Sequence, residues 1–178
     1  MTEYPRVTEI LQECGYYSGL RFVDPSYMEF GQNCHLTFQY HLKGTLDVES
    51  LDNALKPYLN VFKAYLKENV KRVFAYSKRY NSQKYKFTGE IDILYLNNAD
   101  QVCIDDFKIS KSIQKSYALQ LAGYKILVEE NEKYGPIYKN IILINDKDYK
   151  IKPYNKDNEK DELRFLTCLE IYNNIKEY

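Results

Sequence analysis

The sequence predicts an α/β protein, with a small mixed β-sheet that follows an N-terminal helical region and carries helices on both faces. Three observations support this prediction. Apolar residues recur at helical spacing between residues 48 and 70. Two short apolar runs, 89–96 and 102–108, flank a polar turn and are typical of a β-hairpin. A helical segment at 112–131 and a buried apolar strand at 138–144 follow the hairpin.

The length and composition favour one globular domain that spans residues 1–178. The chain is 44% hydrophobic and 28% charged, and it is long enough to bury its own core. Its formal net charge is 0, so we expect any contact with nucleic acid to be a local patch. We see no long apolar run and no N-terminal signal region, so we expect an intracellular, cytoplasmic protein without a membrane span.

The N-terminal region is predicted to form three helices. Thr8 is the expected N-cap of the first helix, and Ser26 is that of the second, which ends at Gly44. Pro57 falls inside the third helical pattern and is expected to kink or split that helix. The predicted ranges are 1–14, 26–43 and 48–70.

A first strand is predicted from residue 70 to 76, before a turn at Asn81 and Ser82. The basic residues of this region allow two interpretations. They form either a solvated hairpin edge, where lysines oppose aggregation, or a phosphate-contacting surface. These residues are Lys71, Arg72, Lys78, Arg79, Lys84 and Lys86.

After the hairpin, the helix at 112–131 is expected to pack Tyr117, Leu121, Tyr124, Leu127 and Val128 on the sheet. The strand at 138–144 is followed by an edge strand at 149–152 and by a final amphipathic helix at 157–178. The expected core residues of that last helix are Leu163, Leu166, Leu169 and Ile175.

Each hairpin strand carries an acidic residue that a core strand would not normally hold. If paired residue numbers sum to about 198, Asp92 lies opposite Asp106, whereas a slip of one residue would bring Asp105 there instead. Opposed carboxylates repel each other. A divalent cation would turn that repulsion into binding, because Mg²⁺ and Mn²⁺ prefer carboxylate oxygens. Lys108 shares a strand face with Asp106, where an ammonium group can steady a water molecule or a phosphate oxygen.

These motifs resemble those of the PD-(D/E)XK nuclease superfamily, and within it the RecB-type and phage-exonuclease branch. That branch is marked by an upstream helical histidine, a Gly-x-x-Asp strand, an Asp-x-Lys strand and a Gln-x-x-x-Tyr helix. The counterparts in this chain are His35, Gly89 with Asp92, Asp106 with Lys108, and Gln120 with Tyr124. The resemblance covers roughly residues 5–145 and implies a restriction-endonuclease-like core.

The resemblance also implies a function, namely metal-dependent hydrolysis of phosphodiester bonds in DNA by an exonuclease. It implies that Mg²⁺ or Mn²⁺ is bound by His35, Asp92, Asp106 and the backbone carbonyl of Phe107, with Lys108 as the catalytic lysine. The implied role is DNA repair, recombination or the processing of phage or mobile-element DNA. The implied partners are single-stranded DNA or duplex ends, and either a second copy of the chain or a recombination protein.

The substrate-binding residues expected from the sequence are Gln120, Tyr124, Lys111, Lys115 and Arg72. Gln120 and Tyr124 are four residues apart and share a helix face. They either cap the edge of the core or line the cleft.

The sequence leaves open the role of His35 and the type of function. His35 is either a metal ligand or an ordinary helix histidine packed near Phe38. Many members of the superfamily carry a glutamate on the first strand, whereas this chain has none between Glu68 and Glu90. The missing glutamate favours a catalytically inactive nucleic-acid-binding or assembly module on the same fold. A metal-dependent hydrolase with another substrate is a third possibility.

Overall fold

A five-stranded mixed β-sheet forms the centre of the structure, a computed structural model that describes residues 4–16, 24–110 and 112–176. The strands lie in the order β1-β2-β3-β4-β5. Their bounds are β1 Val70–Asn81, β2 Thr88–Asn97, β3 Val102–Lys108, β4 Ile137–Ile144 and β5 Tyr149–Pro153. The helices are α1 Val7–Glu13, α2 Pro25–Lys43, α3 Lys56–Asn69, α4 Ser116–Asn131 and α5 Asn158–Lys176.

The strand directions make the sheet mixed. The pairs β1–β2, β2–β3 and β4–β5 are antiparallel, whereas β3 and β4 are parallel. Parallel neighbours need a long crossover, which α4 supplies between β3 and β4. The α/β class, the hairpin and the edge position of β5 are therefore confirmed.

Two apolar cores lie on the two faces of the sheet. The first core joins the sheet to α1, α4 and α5 and includes Ile10, Ile104 and Phe165. The second core joins the opposite face to α2 and α3 and includes Phe62 and Phe107. Because side chains alternate along a strand, neighbouring residues of one strand enter different cores.

Helix α4 is buried on nearly all sides, because it lies between the sheet and the pair α1 and α5. Its five predicted sheet-packing residues are all buried, as expected. Gly123 marks the closest approach, since a Cβ atom there would lie 3.0 Å from both Phe165 and Val7. This tight packing holds the side chains of α4 that face the sheet in place.

Three helix-start predictions were wrong. Helix α1 begins at Val7, and the backbone N–H of Arg6 donates to Glu9 (2.8 Å), so Thr8 lies inside the helix. Asp24 caps α2 by accepting from the backbone N–H of Ser26 (2.9 Å), with Pro25 in the first turn. The third helix begins at Lys56 and not at residue 48, and Pro57 lies in its first turn, where a missing N–H is tolerated, so it neither kinks nor splits α3. Gly44 does end α2, at φ 69°.

The predicted core face of α5 was only half right. Leu169 is buried and Leu166 is partly buried, but Leu163 and Ile175 are exposed. The buried side of α5 instead includes Phe165 and Cys168, which pack with α1 and α4. In the described ranges, no helix has the length and apolar character needed to cross a bilayer.

Candidate active site

The candidate site lies where β2 and β3 stop pairing. Their ladder ends at the pair Ile93 and Asp105, in the predicted register, and Asp92 and Asp106 are the next residues beyond that last pair. Beyond that pair, the Asp92 side chain takes the place of a backbone acceptor, because its Oδ2 accepts the N–H of Phe107 at 2.8 Å. We call this point the fork. It brings Asp92, Asp106 and the Phe107 peptide together.

His35 reaches the fork from α2, on the second-core side of the sheet. Its Nδ1 atom lies 3.5 Å from Oδ1 of Asp92, and its ring is tilted against Phe38 with a centroid distance of 6.4 Å. The two interpretations of His35 are therefore compatible, since a half-buried, packed imidazole also faces a carboxylate.

Asp106 points to the other face of β3 and is held by two side chains. Its Oδ1 accepts from Nε2 of Gln120 (3.2 Å), and its Oδ2 lies 2.6 Å from Nζ of Lys108. The Lys108 ammonium also lies 5.1 Å from the ring centroid of Tyr117. Asp106 and Lys108 share a face, as strand alternation predicts.

The pKa values of the two carboxylates are shifted in opposite directions. Burial opposes ionisation of Asp92, but the charge of His35 and the Phe107 N–H lower its pKa overall. Burial is the main cause that raises the pKa of Asp106, and the charge of Asp92 adds to it, although Lys108 works against both. Burial disfavours the His35 imidazolium, yet the charge of Asp92 raises the pKa of His35. When His35 is neutral, the fork holds two carboxylates, Asp92 partly buried and Asp106 buried, against the single ammonium of Lys108, which leaves one negative charge unbalanced.

The donor set at the fork fits a hard divalent cation. Among the described residues, Oδ2 of Asp106 is buried and accepts no hydrogen bond of regular angles, although Lys108 lies close to it. Carboxylate oxygens together with an imidazole suit Mg²⁺ or Mn²⁺. However, no group of three or more His, Cys, Asp and Glu side chains in the described ranges is already arranged as a ligand set. A cation here would need Asp92, His35 and Asp106 to draw together.

Gly89 has a steric reason for its place in the Gly-x-x-Asp motif. A Cβ atom there would lie 2.9 Å from the side chains of Tyr124 and Leu127. Tyr124 is buried, and its hydroxyl accepts from Nε2 of Gln120 (2.9 Å), the same nitrogen that reaches Asp106. Glycine therefore lets α4 approach β2 closely enough for Gln120 to contact a site carboxylate.

Of the other expected substrate-binding residues, the structure describes Arg72 and Lys115 and places both outside the fork. Arg72 pairs with Leu96 and covers the ring of Phe74 at 4.7 Å. It is four residues along the ladder from Asp92, or about 13 Å at the usual strand rise. Lys115 precedes α4 and lines a pocket with Tyr154 and Arg164. Lys111 lies outside the described residues.

The basic residues of β1 are partly neutralised by acids, which favours the solvated-edge interpretation. Three ion pairs involve them: Lys71 with Asp100, Lys78 with Glu132, and Arg79 with Glu90. The strand carries no acidic residue of its own. Glu68, just before β1, accepts a hydrogen bond from the hydroxyl of Tyr149.

Two features near the fork were missed from the sequence. Asp105 is fully buried on the second-core side, where it is hydrogen-bonded by Tyr65, Tyr95 and Asn140. Burial raises its pKa to about 6. Ser77 lies on β1, at the position next to Asp92 of β2, and has a φ of 41°, a strained value for a residue with a side chain. The Asp105-Asp106 dipeptide is visible in the sequence, but the hydrogen-bond partners of Asp105 come from other elements of the fold.

The fold and the fork together define a class of protein. A mixed sheet between helices, with two carboxylates and a lysine on adjoining strands, is typical of metal-dependent nucleases. The family model for the PD-(D/E)XK nuclease superfamily matches residues 26–171, more than four fifths of the chain. The chain belongs to this superfamily. A search of curated proteins found no match.

Members of this superfamily are generally nucleases that use a divalent metal, typically Mg²⁺, although the superfamily also includes inactive members. Its fold is the restriction-endonuclease-like arrangement, and the mixed sheet with five helices in the described part of this chain is consistent with it.

Proposed function

We propose that this protein is a metal-dependent deoxyribonuclease that hydrolyses phosphodiester bonds from DNA ends. The observation that carries the proposal is the convergence of Asp92, Asp106 and Lys108 at the fork, within a chain of the nuclease superfamily. A buried carboxylate beside a partly buried one is costly unless a cation offsets their charge, so this pair is better explained by function than by folding.

The metal would be held by the carboxylates of Asp92 and Asp106, the imidazole of His35 and the backbone carbonyl of Phe107. When bound, it would supply hydroxide near neutral pH and offset charge on the phosphate. Mg²⁺ and Mn²⁺ both suit the oxygens, and the imidazole favours Mn²⁺, because nitrogen is a softer ligand.

The protein's own residues have separate roles in this proposal. Gln120 donates to Asp106 and keeps that carboxylate turned toward the fork. The Phe107 N–H does the same for Asp92. Lys108 presents an ammonium beside Asp106, where it orients the attacking water or stabilises the phosphate oxygens.

DNA is the proposed substrate, as a single strand or a duplex end. With a net charge of 0, the chain would have to bind phosphates through a local basic surface. Lys108, Lys111 and Lys115 follow one another from β3 to the start of α4 and are the proposed source of that charge. Gln120 and Tyr124 would contact the strand beside the fork, and Arg72 would contact it farther away. We infer a role in DNA repair, in recombination or in the processing of viral or mobile-element DNA inside a cell.

The decisive experiment compares Asp106→Asn with Asp100→Asn. The second variant makes the same chemical change in the β2–β3 turn, where asparagine tolerates the positive φ of 58°. Loss of a metal carboxylate forfeits several kcal/mol of charge stabilisation, so we expect Asp106→Asn to slow cleavage by ~10²-fold or more.

The substrates are end-labelled linear DNA and a closed circle of the same sequence, each with Mg²⁺, with Mn²⁺ or with a chelator. An exonuclease cuts only the linear form and stops when the metal is chelated. Cleavage that survives both Asp106→Asn and the chelator would contradict the site.

A second candidate function is a catalytically inactive DNA-binding or assembly module. The observation in its favour is the absence of an acidic residue on β1, together with the open arrangement of the donors at the fork. The same assay separates the two functions, since an inactive module binds the labelled DNA without cutting it under any metal condition.

A further inference from the structure

The buried carboxylate of Asp105 has no role in the chemistry proposed above. It is fully buried among the apolar residues of the second core, next to Cys103 and Phe107 on the same strand face. An apolar side chain in this position would cost less, because a buried carboxylate must be desolvated and supplied with partners. A carboxylate at this position therefore calls for a specific explanation.

Three elements at the base of the fork, α3, β2 and β4, donate hydrogen bonds to Asp105. Tyr65 of α3 donates to its Oδ2, and Tyr95 of β2 donates to the same oxygen at 2.8 Å. Asn140 of β4 donates to its Oδ1 at 2.7 Å. Each partner is itself buried, at 0% exposure for Tyr65, 2% for Tyr95 and 9% for Asn140. A satisfied buried network of this kind favours a single geometry over its alternatives.

The network lies at the last paired residue before the fork. Asp105 pairs with Ile93 on one side and with Asn140 on the other, and the β2–β3 ladder ends there. The next two residues along β3 are Asp106, which faces the opposite side of the sheet, and Phe107, whose N–H is bound by Asp92. The ring of Phe107 also packs edge-on against Tyr65, with a centroid distance of 5.5 Å. Movement of β3 at residue 105 would thus displace both groups.

We propose that Asp105 is a positioning residue, whose hydrogen bonds to Tyr65, Tyr95 and Asn140 clamp β3 at the base of the fork and so set the placement of Asp106 and the Phe107 peptide. The catalytic consequence rests on the proposed nuclease function, whereas the clamp itself does not. Loss of one hydrogen bond leaves the second core filled but loosens the fork.

The test uses Asp105→Asn and Tyr95→Phe, with Ile144→Val as the matched control. The Tyr95 change removes a single hydroxyl and keeps the charge, so it remains informative if Asp105→Asn does not fold. Ile144 is buried in the same core, four residues beyond Asn140 on β4, and its loss of one methyl group trims that core away from Asp105. The three variants are compared with the wild type at equal fractional stability, set with denaturant.

The first measurement is hydrogen exchange of the Phe107 amide relative to the Ile104 amide within the ladder, and it needs neither metal nor activity. The second is the Mn²⁺ dissociation constant by calorimetry, with cleavage of linear DNA beside it. Supporting groups of this type change metal affinity or activity by 10–100-fold, so we expect losses of ~10-fold or more in both network variants. Relative to the wild type, hydrogen exchange of the Phe107 amide should accelerate more than that of the Ile104 amide, and only in these two variants.

Unchanged Phe107 exchange in folded Tyr95→Phe would overturn the proposal, as would equal acceleration in Ile144→Val. If the wild type cleaves no DNA, the nuclease function fails, while the exchange measurement still decides whether Asp105 clamps the fork.

Discussion

At the scale of single residues, the two acids at the fork differ because their neighbours differ. Asp92 faces His35 and accepts a backbone N–H, so its pKa is lowered despite burial. Asp106 is more deeply buried, and its pKa is raised even with Lys108 beside it. The result is one carboxylate that stays ionised and one that gains most from an added cation. This asymmetry makes metal binding and protonation competing events at the fork.

We expect protonation of His35 to make the cleavage rate depend on pH. Neutral imidazole is the metal-binding form, and its ordinary pKa is about 6.5. Because Asp92 raises the pKa of His35, protons displace the metal at a higher pH than for a free histidine. We therefore expect cleavage to fall as the pH drops through the raised His35 pKa, and the Mn²⁺ preference to shrink in His35→Ala.

Cleavage rates against Mg²⁺ and Mn²⁺ concentration between pH 6 and pH 8.5 measure both effects. His41→Ala is the control, since His41 lies at the end of α2 and burial lowers its pKa. If His35→Ala keeps the wild-type pH midpoint and metal ratio, His35 is only a packing residue beside Phe38.

The sequence identified the fork acids but missed what supports them. Asp92, Asp106 and Lys108 follow from alternation along two short strands, and the register that joins them is the predicted one. The partners of Asp105 could not be found this way. Tyr65 and Asn140 are 40 and 35 residues away from it along the chain, and only the packing of α3 and β4 brings them together.

At the scale of elements, two helix glycines show that packing decides whether replacing a glycine stabilises or destabilises the fold. Gly31 in α2 and Gly123 in α4 are both in helices, where glycine costs about 0.5–1 kcal/mol relative to alanine. A Cβ atom at Gly31 would meet nothing within 4 Å, whereas one at Gly123 would press on Phe165 and Val7. The same substitution should therefore have opposite effects.

We expect Gly31→Ala to raise the free energy of unfolding by about 0.5–1 kcal/mol, and Gly123→Ala to lower it by about 1–3 kcal/mol through overpacking. Urea unfolding followed by circular dichroism measures both. If Gly123→Ala were stabilising, α1 and α5 would have to shift at little cost to make room for the methyl group. Helix α4 would then be packed less tightly than its burial suggests.

Helix boundaries and faces were the weakest part of the sequence prediction, for a physical reason. The order of elements follows from local periodicity, which is strong in the hairpin and in α4. The buried face of α5 depends on which residues reach α1 and α4, so Phe165 and Cys168 are buried while Leu163 remains exposed. Pro57 was placed inside a helix because Leu51 and Leu55 extend the apolar pattern into the preceding turn.

At the scale of the whole molecule, one sheet is shared by two cores that do not mix. β4 shows this most directly, since Ile141 and Ile142 are adjacent, both fully buried, and belong to different cores. The fork lies between these layers, with His35 reaching it from α2 and Gln120 from α4. The candidate site thus depends on both cores being formed.

This architecture gives a final prediction, which concerns the single domain expected for residues 1–178. If the shared sheet couples the two cores, the chain unfolds in one cooperative step. Ile141→Val and Ile142→Val each remove one methyl group from a different core and should each cost about 0.5–1.5 kcal/mol. Both variants should shift the midpoint of the same transition and leave its denaturant slope unchanged.

Far-ultraviolet circular dichroism and tyrosine fluorescence provide two independent probes, because the chain has 19 tyrosines and no tryptophan. The two probes should give coincident curves for the wild type and for both variants. Separate transitions, with Ile141→Val moving one and Ile142→Val the other, would show that the helices on the two faces unfold independently. In that case metal added to the folded protein should stabilise the transition that contains the fork, by an amount set by its concentration relative to its dissociation constant.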